Sequence, residues 1–420
     1  MPPPIYKSMS LLLHNRKSNS AFRALTTAPP DAIDFSSNDF LSLSSSPLFK
    51  AAYLEELTTS PLFHLGSGGS RLLDGNSAYA EGIEADIARF HHAEAALLFN
   101  SGFDANAGFF ACVPQRGDVV LFDEFVHASV HEGMRLSRAG ARKSFAHNDV
   151  SDLRLKIEEV RRGDERVRRG EGNVFVAVES LYSMDGDLAP LEEILGLVEE
   201  MLPNGNGLVV VDEAHSNGVY GSQGRGIVCS LGLESRFFAR LHTFGKGLAC
   251  NGAAILCSPL TREYLINYAR PLIYSTSMSF PGLAAIKVMY SLMKQGVTEP
   301  LIVHLNDLVG HFFHQLSILQ PRSGRGIALL ELPKEVPRSP IFALLSPEPR
   351  SLAKYCQDAG FVVRPIFPPT VPEGTQRVRV CLHAGNTYED VNRLVARIGS
   401  WLEMKREAES SKATLIKAVL

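Results

Sequence analysis

The chain has 420 residues, of which 45% are hydrophobic and 21% are charged, and its formal net charge is -3 at pH 7. This balance does not indicate nucleic acid or an anionic membrane as a partner, and no apolar run reaches the ~18–20 residues of a membrane span. The length allows two lobes with a cleft between them, because a single core stops growing near ~250–300 residues.

The first thirty residues contain no acid and four Lys or Arg, a composition that fits an organellar transit peptide or a surface helix equally well. They lack the apolar region and cleavage site of a secretory signal. We therefore expect an intracellular, cytoplasmic protein, with the mitochondrion or the peroxisome as alternatives, although the C-terminal Ala-Val-Leu does not match the Ser-Lys-Leu signal. Six cysteines without a C-x-x-C pair or clustered spacing predict reduced, mostly buried thiols and no metal site.

Between about Leu97 and Leu256, short apolar runs alternate with helix-period segments such as "PLEEILGLVEEML". The runs "ALLFN", "DVVLFD", "NVFVAVES", "GLVVVDEAH" and "GAAILCS" are flanked by glycines and acids, which is typical of strands buried on both faces. The pattern predicts an α/β fold with a mostly parallel central sheet. A charged interval, 156–173, interrupts it and predicts a solvated helix or a surface insertion.

After residue 289 the pattern of apolar runs changes. The runs "RGIALLELP", "PIFALLSP", "FVVRPIF" and "QRVRVCLHA" predict short strands among helices. We expect a second, smaller α/β domain here, followed by a helix end and a frayed tail. The predicted division is an N-terminal helical segment 1–52, a large domain 53–289, a small domain 290–404 and a tail 405–420.

The strand "VVVDEAH" resembles the magnesium-binding strand of a DEAH-type helicase, but the sequence contains no G-x-x-x-x-G-K-[ST] phosphate loop, which makes an NTPase improbable. Asp212 and His215 then stand at the carboxyl end of a buried strand, where ligands gather in open α/β sheets. An N-cap aspartate and a surface histidine are the alternative. Because Asp212 follows three valines, its carboxylate lies near the core, and we expect a cationic partner.

Three further sequence segments contain possible ligand-binding residues, but each of them alone is only a weak indication of a site. In "NSGFDANAGFF" a strand turns through Gly102 and Phe103 into a helix, whose first N–H groups form an anion site, although most such turns bind nothing. His127 either stacks on a flat cofactor or caps a helix. Glu179 and Ser183, in "ESLYSMDGDLAP", offer polar partners to a ring or a phosphate, or form an ordinary turn.

Lys246 lies between two glycines in "TFGKG", with the hydroxyl of Thr243 three residues earlier. A lysine in apolar sequence is either a snorkelling surface residue or an amine held in a site. With an aspartate, a phosphate cradle and a stacking histidine before it in one sheet, the second interpretation is favoured. These are the parts that pyridoxal phosphate requires, a Schiff-base lysine and an acid at the pyridinium nitrogen.

The sequence resembles the α-oxoamine synthases, a family of pyridoxal-phosphate enzymes of fold type I, the aspartate aminotransferase-like fold. The resemblance extends from about residue 10 to residue 398. It is carried by ten motifs in family order: "DFSSNDFLSL", "GSGGSRLLDGN", "SGFDAN", "HAS", "FAHNDV", "SMDGD", "VDEAHSNGVYG", "QGRG", "TFGKG" and "LIYSTSM".

The resemblance implies roles for the site residues. Lys246 would form the Schiff base and transfer protons, Asp212 would keep the ring nitrogen protonated, and His215 would bond the phenolate oxygen. His127 would stack on the ring, and Glu179 would be a polar partner of ring groups. The phosphate would contact Gly102, Phe103, Ser183 and Thr243.

Substrate contacts are implied in the same way. Arg379 would bind the carboxylate of the amino acid, with Asn38 nearby, and Thr276 would reach the phosphate from a neighbouring subunit of a homodimer. The motifs "PPTVPEGTQRVRV" and "AHND" resemble the branch that condenses L-alanine with a pimeloyl thioester, of coenzyme A or acyl carrier protein, in biotin biosynthesis. Arg23, on an N-terminal helix, would then lie near the pimeloyl carboxylate.

The sequence departs from the family pattern at two places. Phe367 replaces an arginine before Pro368, with Arg364 three residues earlier, and "YAEGIE" replaces a histidine-led helix start.

Three alternative functions remain open. They are a sister synthase with another amino acid or acyl thioester, a non-catalytic partner subunit, which the presence of Lys246 disfavours, and an aminotransferase.

Overall fold

The computed structural model describes residues 3–19, 22–319 and 329–419. The strands are β1 Ile33–Asp34, β2 Ala95–Phe99, β3 Val119–Asp123, β4 Ala141–Phe145, β5 Val174–Glu179, β6 Gly207–Asp212, β7 Ala239–Thr243, β8 Ala253–Cys257, β9 Ile341–Leu345, β10 Phe361–Val362, β11 Arg364–Ile366 and β12 Arg377–Cys381. The helices are α1 Pro4–Ser18, α2 Pro47–Thr59, α3 Ala78–Phe90, α4 Gly102–Cys112, α5 Ala128–Leu136, α6 Val150–Gly163, α7 Glu165–Arg169, α8 Leu191–Met201, α9 Ile227–Leu231, α10 Pro259–Tyr268, α11 Arg270–Ile273, α12 Phe280–Lys294, α13 Glu299–Ile318, α14 Pro349–Gln357 and α15 Tyr388–Val419.

The central sheet has seven strands in the order β2-β8-β7-β6-β5-β3-β4. Strand β8 runs antiparallel to both its neighbours, and the other pairings are parallel. Every residue of β5 is buried, which explains its continuous apolar sequence, since helices cover both faces of the sheet. The predicted α/β fold with a mostly parallel sheet is confirmed.

Two strands of this sheet are missing from the sequence prediction. Strand β4, "ARKSF", is an edge strand whose side chains alternate between partly buried and exposed positions, so it carries no apolar run. Strand β7, "ARLHT", places Arg240 and His242 in the interior. These polar side chains are buried because Arg240 donates to the His91 carbonyl oxygen at 2.8 Å and His242 lies 3.2 Å from a carboxylate oxygen of Glu213.

The smaller sheet has the antiparallel order β11-β12-β9. The prediction of a strand in 325–333 falls partly outside the described residues, since 320–328 are not described, and the remainder contributes a single bridge between Glu331 and Leu345. The N-terminal segment joins this lobe through β1, which pairs in parallel with β10. Phe35 is fully buried there, and its carbonyl accepts from the Cys381 amide at 2.8 Å.

Three helices continue across the predicted domain boundaries, because none of these boundaries coincides with a helix-breaking glycine or proline. Helix α2 crosses residue 52, α12 crosses residue 289 and α15 crosses residue 404. Helix α15 continues through the predicted tail to Val419. Segment 405–419 contains no glycine or proline and is rich in Lys, Glu and Ala, which favour helix.

Other expectations are met. The charged interval 156–173 forms the end of α6 and α7, a largely exposed helical region. All six cysteines are free, and four of them are buried. Within the described ranges, no helix has the length and apolar character needed to cross a bilayer.

We predict that Phe35→Ala destabilises the protein strongly, because Phe35 is 0% exposed and packs against Phe361 at a centroid distance of 6.0 Å. Removing a buried phenylalanine ring costs about 3–5 kcal/mol. Thermal unfolding compared with Phe22→Ala, whose side chain is 46% exposed in the same segment, checks the prediction. Equal losses in the two variants would contradict the packing of β1 into the small lobe.

Candidate active site

A cleft of about 970 Å³ opens at the carboxyl ends of the parallel strands. Its lining comes from both lobes and from the N-terminal segment: Asn38, Glu124, Phe125, Val126, His127, Ala128, His131, Tyr182, Ser183, Met184, Asp185, His215, Lys246, Pro368, Pro369, Thr370, Val371, Pro372, Glu373 and Arg379. The carboxyl edge of a doubly wound sheet is the expected ligand position. Six of the predicted site residues therefore share one cavity.

Lys246 follows β7 and projects its amine into the cleft, where Nζ lies 2.8 Å from Nε2 of His215. Burial lowers the pKa of the Lys246 amine below its ordinary value, although Asp212 and Glu179 oppose the effect. Burial also lowers the pKa of His215 well below its usual range, and Lys246 lowers it further. The neutral amine that nucleophilic attack requires is thereby favoured.

Asp212 ends β6 and is buried at the floor of this region. Its Oδ1 accepts from the Ala214 amide and its Oδ2 from the side-chain amide of Asn106, both at 2.8 Å. Glu179 is the register partner of Asp212 on β5. Burial and the Asp212 charge raise the pKa of Glu179 well above its ordinary value. Asp212 accepts two hydrogen bonds, which stabilise its carboxylate form.

The turn from β2 into α4 has the geometry of an anion site. Ser101 caps α4 by accepting from the Asp104 amide at 3.0 Å, which leaves the Gly102 and Phe103 N–H groups without an intrahelical acceptor. A Cβ atom at Gly102 would lie 2.3 Å from Cγ2 of Thr243, so only glycine permits this close approach. The structure thus brings the predicted phosphate contacts Gly102, Phe103 and Thr243 together.

Arg379, on β12, brings the small lobe to the cleft. Its Nε donates to the Ser183 carbonyl at 2.7 Å and its Nη2 to Oδ1 of Asn38 at 2.9 Å. Both partners are neutral, and no acid among the described residues forms an ion pair with this guanidinium. A buried arginine held by neutral groups is suited to bind a ligand carboxylate.

His127 precedes α5 and caps this helix, as one of its two interpretations expected. Its Nδ1 caps the helix by accepting from the Ser129 amide at 3.2 Å, while its ring lines the cleft. Burial and the Lys246 charge lower the pKa of His127, with Asp212 opposing them. A neutral ring facing the cavity can stack on a flat cofactor.

Thr276 and Arg23 are two of the predicted residues that do not line the cleft of their own chain. Thr276 is exposed and lines a separate cavity of about 290 Å³, where its carbonyl accepts from Asn100. Arg23 is exposed and is not on a helix, because α1 ends at Ser18. Their roles in the site stay predictions.

The structure also shows where the first departure from the family pattern lies, at Phe367 and Arg364. Phe367 lies under the guanidinium of Arg350, 4.4 Å from the ring centroid. Arg364 is exposed on β11 and outside the cleft lining. The proline-rich loop after Phe367 forms one wall of the cleft, a role that its turn-like sequence did not reveal.

Asn106 is a residue of this site that the sequence motifs did not single out. It lies in "SGFDAN", on a helix whose other buried residues are small or apolar, and it is 3% exposed. A buried amide among apolar neighbours requires a polar partner. Its position one turn after Gly102 was the available signal.

A second cluster supports the cleft wall. His147, from the "AHND" motif, lies 2.9 Å from Oδ1 of Asp123 and 2.7 Å from Oδ2 of Asp187, and it stacks on Phe125 at 4.4 Å. Burial lowers the pKa of His147, but the two carboxylates outweigh burial and raise it to about 10. An imidazolium therefore ties the loop after β5, which carries Ser183, to the end of β3.

The similarity of this chain to known proteins identifies its family. Residues 30–398 match the family model described as aminotransferase class I and II. Over 415 residues, 99% of each chain, the sequence is 50% identical to an 8-amino-7-oxononanoate synthase of Emericella nidulans. The chain belongs to the α-oxoamine synthase family.

Further likenesses agree with this α-oxoamine synthase assignment. The chain is 38% identical over 409 residues to an aminoacyl transferase sphA of Aspergillus fumigatus, which covers 94% of this chain and 87% of that protein. The solved structure of a Sphingomonas wittichii serine palmitoyltransferase has the same fold, with a TM-score of 0.81 and 24% identity over 95% of this chain and 98% of that one. The predicted fold type and the class of pyridoxal-phosphate-dependent acyl-transferring synthase are confirmed.

The residues of this α-oxoamine synthase fit pyridoxal phosphate. Gly102 provides a close backbone approach at a helix N-terminus, where a phosphate binds. Asp212 is a carboxylate held by two donors, and Lys246 supplies an amine with a lowered pKa in the same cleft.

We predict a pH-dependent contribution of His147 to stability. Its pKa is about 6.5 in an unfolded chain and about 10 when folded. Because the pKa of His147 is higher in the folded protein, its charge stabilises the fold fully below about pH 6.5. This contribution is lost as the pH rises through about 10. The difference in Tm between wild type and His147→Gln should therefore shrink between about pH 6.5 and 10.

The control for this experiment is His314→Gln, at an exposed position on α13. Its Tm difference from wild type should be small at every pH. A His147→Gln difference that is constant from pH 6 to 10 would rule out the charged bridge.

Proposed function

We propose that this chain condenses L-alanine with a pimeloyl thioester, with loss of carbon dioxide, which is the reaction of an 8-amino-7-oxononanoate synthase. The observation that carries the proposal is the 50% identity to the Emericella nidulans synthase over 99% of both chains. Lys246, His215 and Arg379 line one cleft, and Asp212 is buried near Lys246, an arrangement that supports catalysis rather than a non-catalytic role as a partner subunit.

The cofactor, when bound, supplies an electron sink for the electron pair released at the amino acid's Cα. Lys246 would hold the cofactor and take the Cα proton at Nζ. Asp212 would hold a proton on the ring nitrogen, His215 would bond the phenolate oxygen through Nε2, and His127 would cover one ring face. Glu179, neutral next to Asp212, would remain a polar partner.

The phosphate would be bound by the amides of Gly102 and Phe103 together with the hydroxyls of Ser183 and Thr243. Arg379 and Asn38 would orient the amino acid through its carboxylate. General base catalysis alone contributes ~10²–10⁴-fold, so most of the acceleration would come from charge delocalisation and positioning. The small lobe therefore has a catalytic purpose, because it delivers Arg379 to an amine on the large lobe.

A sister synthase with another acyl chain is the second candidate. The 38% identity to the sphA aminoacyl transferase favours it, and so does the lining of the cleft. Among the described lining residues, the Lys and Arg side chains are Lys246 and Arg379, both assigned to the reaction centre. A pimeloyl carboxylate would thus need Arg23 or another cation from outside this lining.

A homodimer is part of the proposal. Thr276 lies in a cavity apart from the cleft of its own chain, which suits a residue that completes a partner's phosphate site. Nearby hydrophobic side chains are strongly exposed, including Leu65, Leu73 and Tyr274. Such exposed apolar residues are typical of a surface that another protein covers.

We expect the highest kcat/KM for L-alanine with pimeloyl thioester in a panel of pimeloyl, acetyl and palmitoyl thioesters, each with alanine, glycine and serine. Coenzyme A and acyl carrier protein forms of the pimeloyl group would identify the carrier. A preference for palmitoyl thioester would replace the proposal by the sister synthase. Formation of pyruvate from alanine without an acyl donor would indicate an aminotransferase.

We predict that Arg379→Ala weakens the use of alanine, since it removes the charge-assisted hydrogen bonds to the substrate carboxylate. Bonds of this kind contribute about 1.5–3 kcal/mol, which corresponds to roughly 10- to 160-fold in kcat/KM. The matched control is Arg364→Ala, which removes an exposed guanidinium opposite Arg379 on the neighbouring strand. Similar kinetics for both variants would exclude the assigned role of Arg379.

A further inference from the structure

A continuous chain of hydrogen bonds joins Asp212 to His127 beneath the cleft. The side-chain nitrogen of Asn106 lies 2.8 Å from Oδ2 of Asp212 and 3.0 Å from Oγ of Ser129. Oγ of Ser129 in turn lies 2.7 Å from Nδ1 of His127. Asn106 is 3% exposed and Ser129 0% exposed, so water does not compete with these bonds.

The direction of each bond follows from the chemistry of its groups. A carboxylate only accepts, so the NH₂ group of Asn106 faces Asp212 with one hydrogen and Ser129 with the other. The Ser129 hydroxyl accepts from Asn106 and keeps its own hydrogen for His127. The Ser129 backbone amide donates to the same Nδ1 at 3.2 Å. Nδ1 of His127 therefore receives two donors.

An imidazole nitrogen that receives two donors carries no proton. The proton of a neutral His127 is consequently on Nε2, on a ring that lines the cleft. Protonation of Nδ1 would direct an N–H against the Ser129 amide, whose hydrogen cannot turn away. The chain of bonds thus selects one tautomer and disfavours the imidazolium, and burial acts in the same direction on the pKa of His127.

We propose that Asn106 and Ser129 are positioning residues that hold the Asp212 carboxylate in place and keep His127 as its neutral Nε2–H tautomer. The cleft then presents one N–H donor, which is suited to the carboxylate or thioester oxygen of a substrate. The proposal deepens the proposed function and rests on it for the identity of that substrate. The tautomer itself is independent of that function.

The matched pair Asn106→Ala and Asn206→Ala tests the proposal. Asn206 is also 3% exposed, and its amide also makes two bonds, to the carbonyls of Val167 and Gly172. Both variants should lower Tm. Asn106→Ala alone should reduce kcat by about tenfold, the equivalent of one bond to a charged group, and shift the pH titration of the bound cofactor's visible absorbance. Identical spectra and pH profiles for the two variants would overturn the proposal.

Nitrogen-15 spectra of histidine-labelled full-length protein provide a readout that does not require turnover. The His127 signals, identified by their loss in His127→Gln, should show an unprotonated Nδ1 and a protonated Nε2 from pH 6 to 9. A protonated Nδ1 in the wild type would refute the proposal, whereas inactivity with every thioester would refute only the proposed function.

Discussion

The structure depends on a buried carboxylate at the end of β6. Asp212 follows a strand that is buried between helical layers, where an unpaired charge is costly. Hydrogen bonds from the Ala214 amide and the Asn106 side chain lower that cost. The nearby amine of Lys246 also interacts favourably with the Asp212 charge. Because these partners are preorganised, the acid can stabilise a cation on a bound ring without rearrangement.

Sheet topology brings the reacting groups together. Strands β5, β6 and β7 are parallel neighbours, so the residues at their carboxyl ends meet at one edge. The groups proposed to bind the substrate carboxylate come from other parts of the chain: Arg379 lies on the small sheet and donates a hydrogen bond to Asn38 of the N-terminal segment. The cleft is therefore complete only when the N-terminal segment is docked on the small lobe through β1.

Much of this arrangement could be predicted from the sequence, because Asp212 and Lys246 each follow an unmistakable apolar strand or a glycine-flanked turn. Strand β7 could not, since its buried Arg240 and His242 are stabilised by partners distant in sequence. Asn106 was missed for a related reason: its significance lies in two contacts 23 and 106 residues away. Local patterns report burial and turns, whereas the partner of a buried polar group is set by the tertiary fold.

The most direct test is to reduce the purified chain, incubated with pyridoxal phosphate, with borohydride and map the modified lysine by tandem mass spectrometry. Burial lowers the pKa of the Lys246 amine, and this amine lies in the cleft 2.8 Å from Nε2 of His215. We expect a phosphopyridoxyl group on Lys246 and none on other lysines. Modification spread over surface lysines, with Lys246 unmodified, would contradict it.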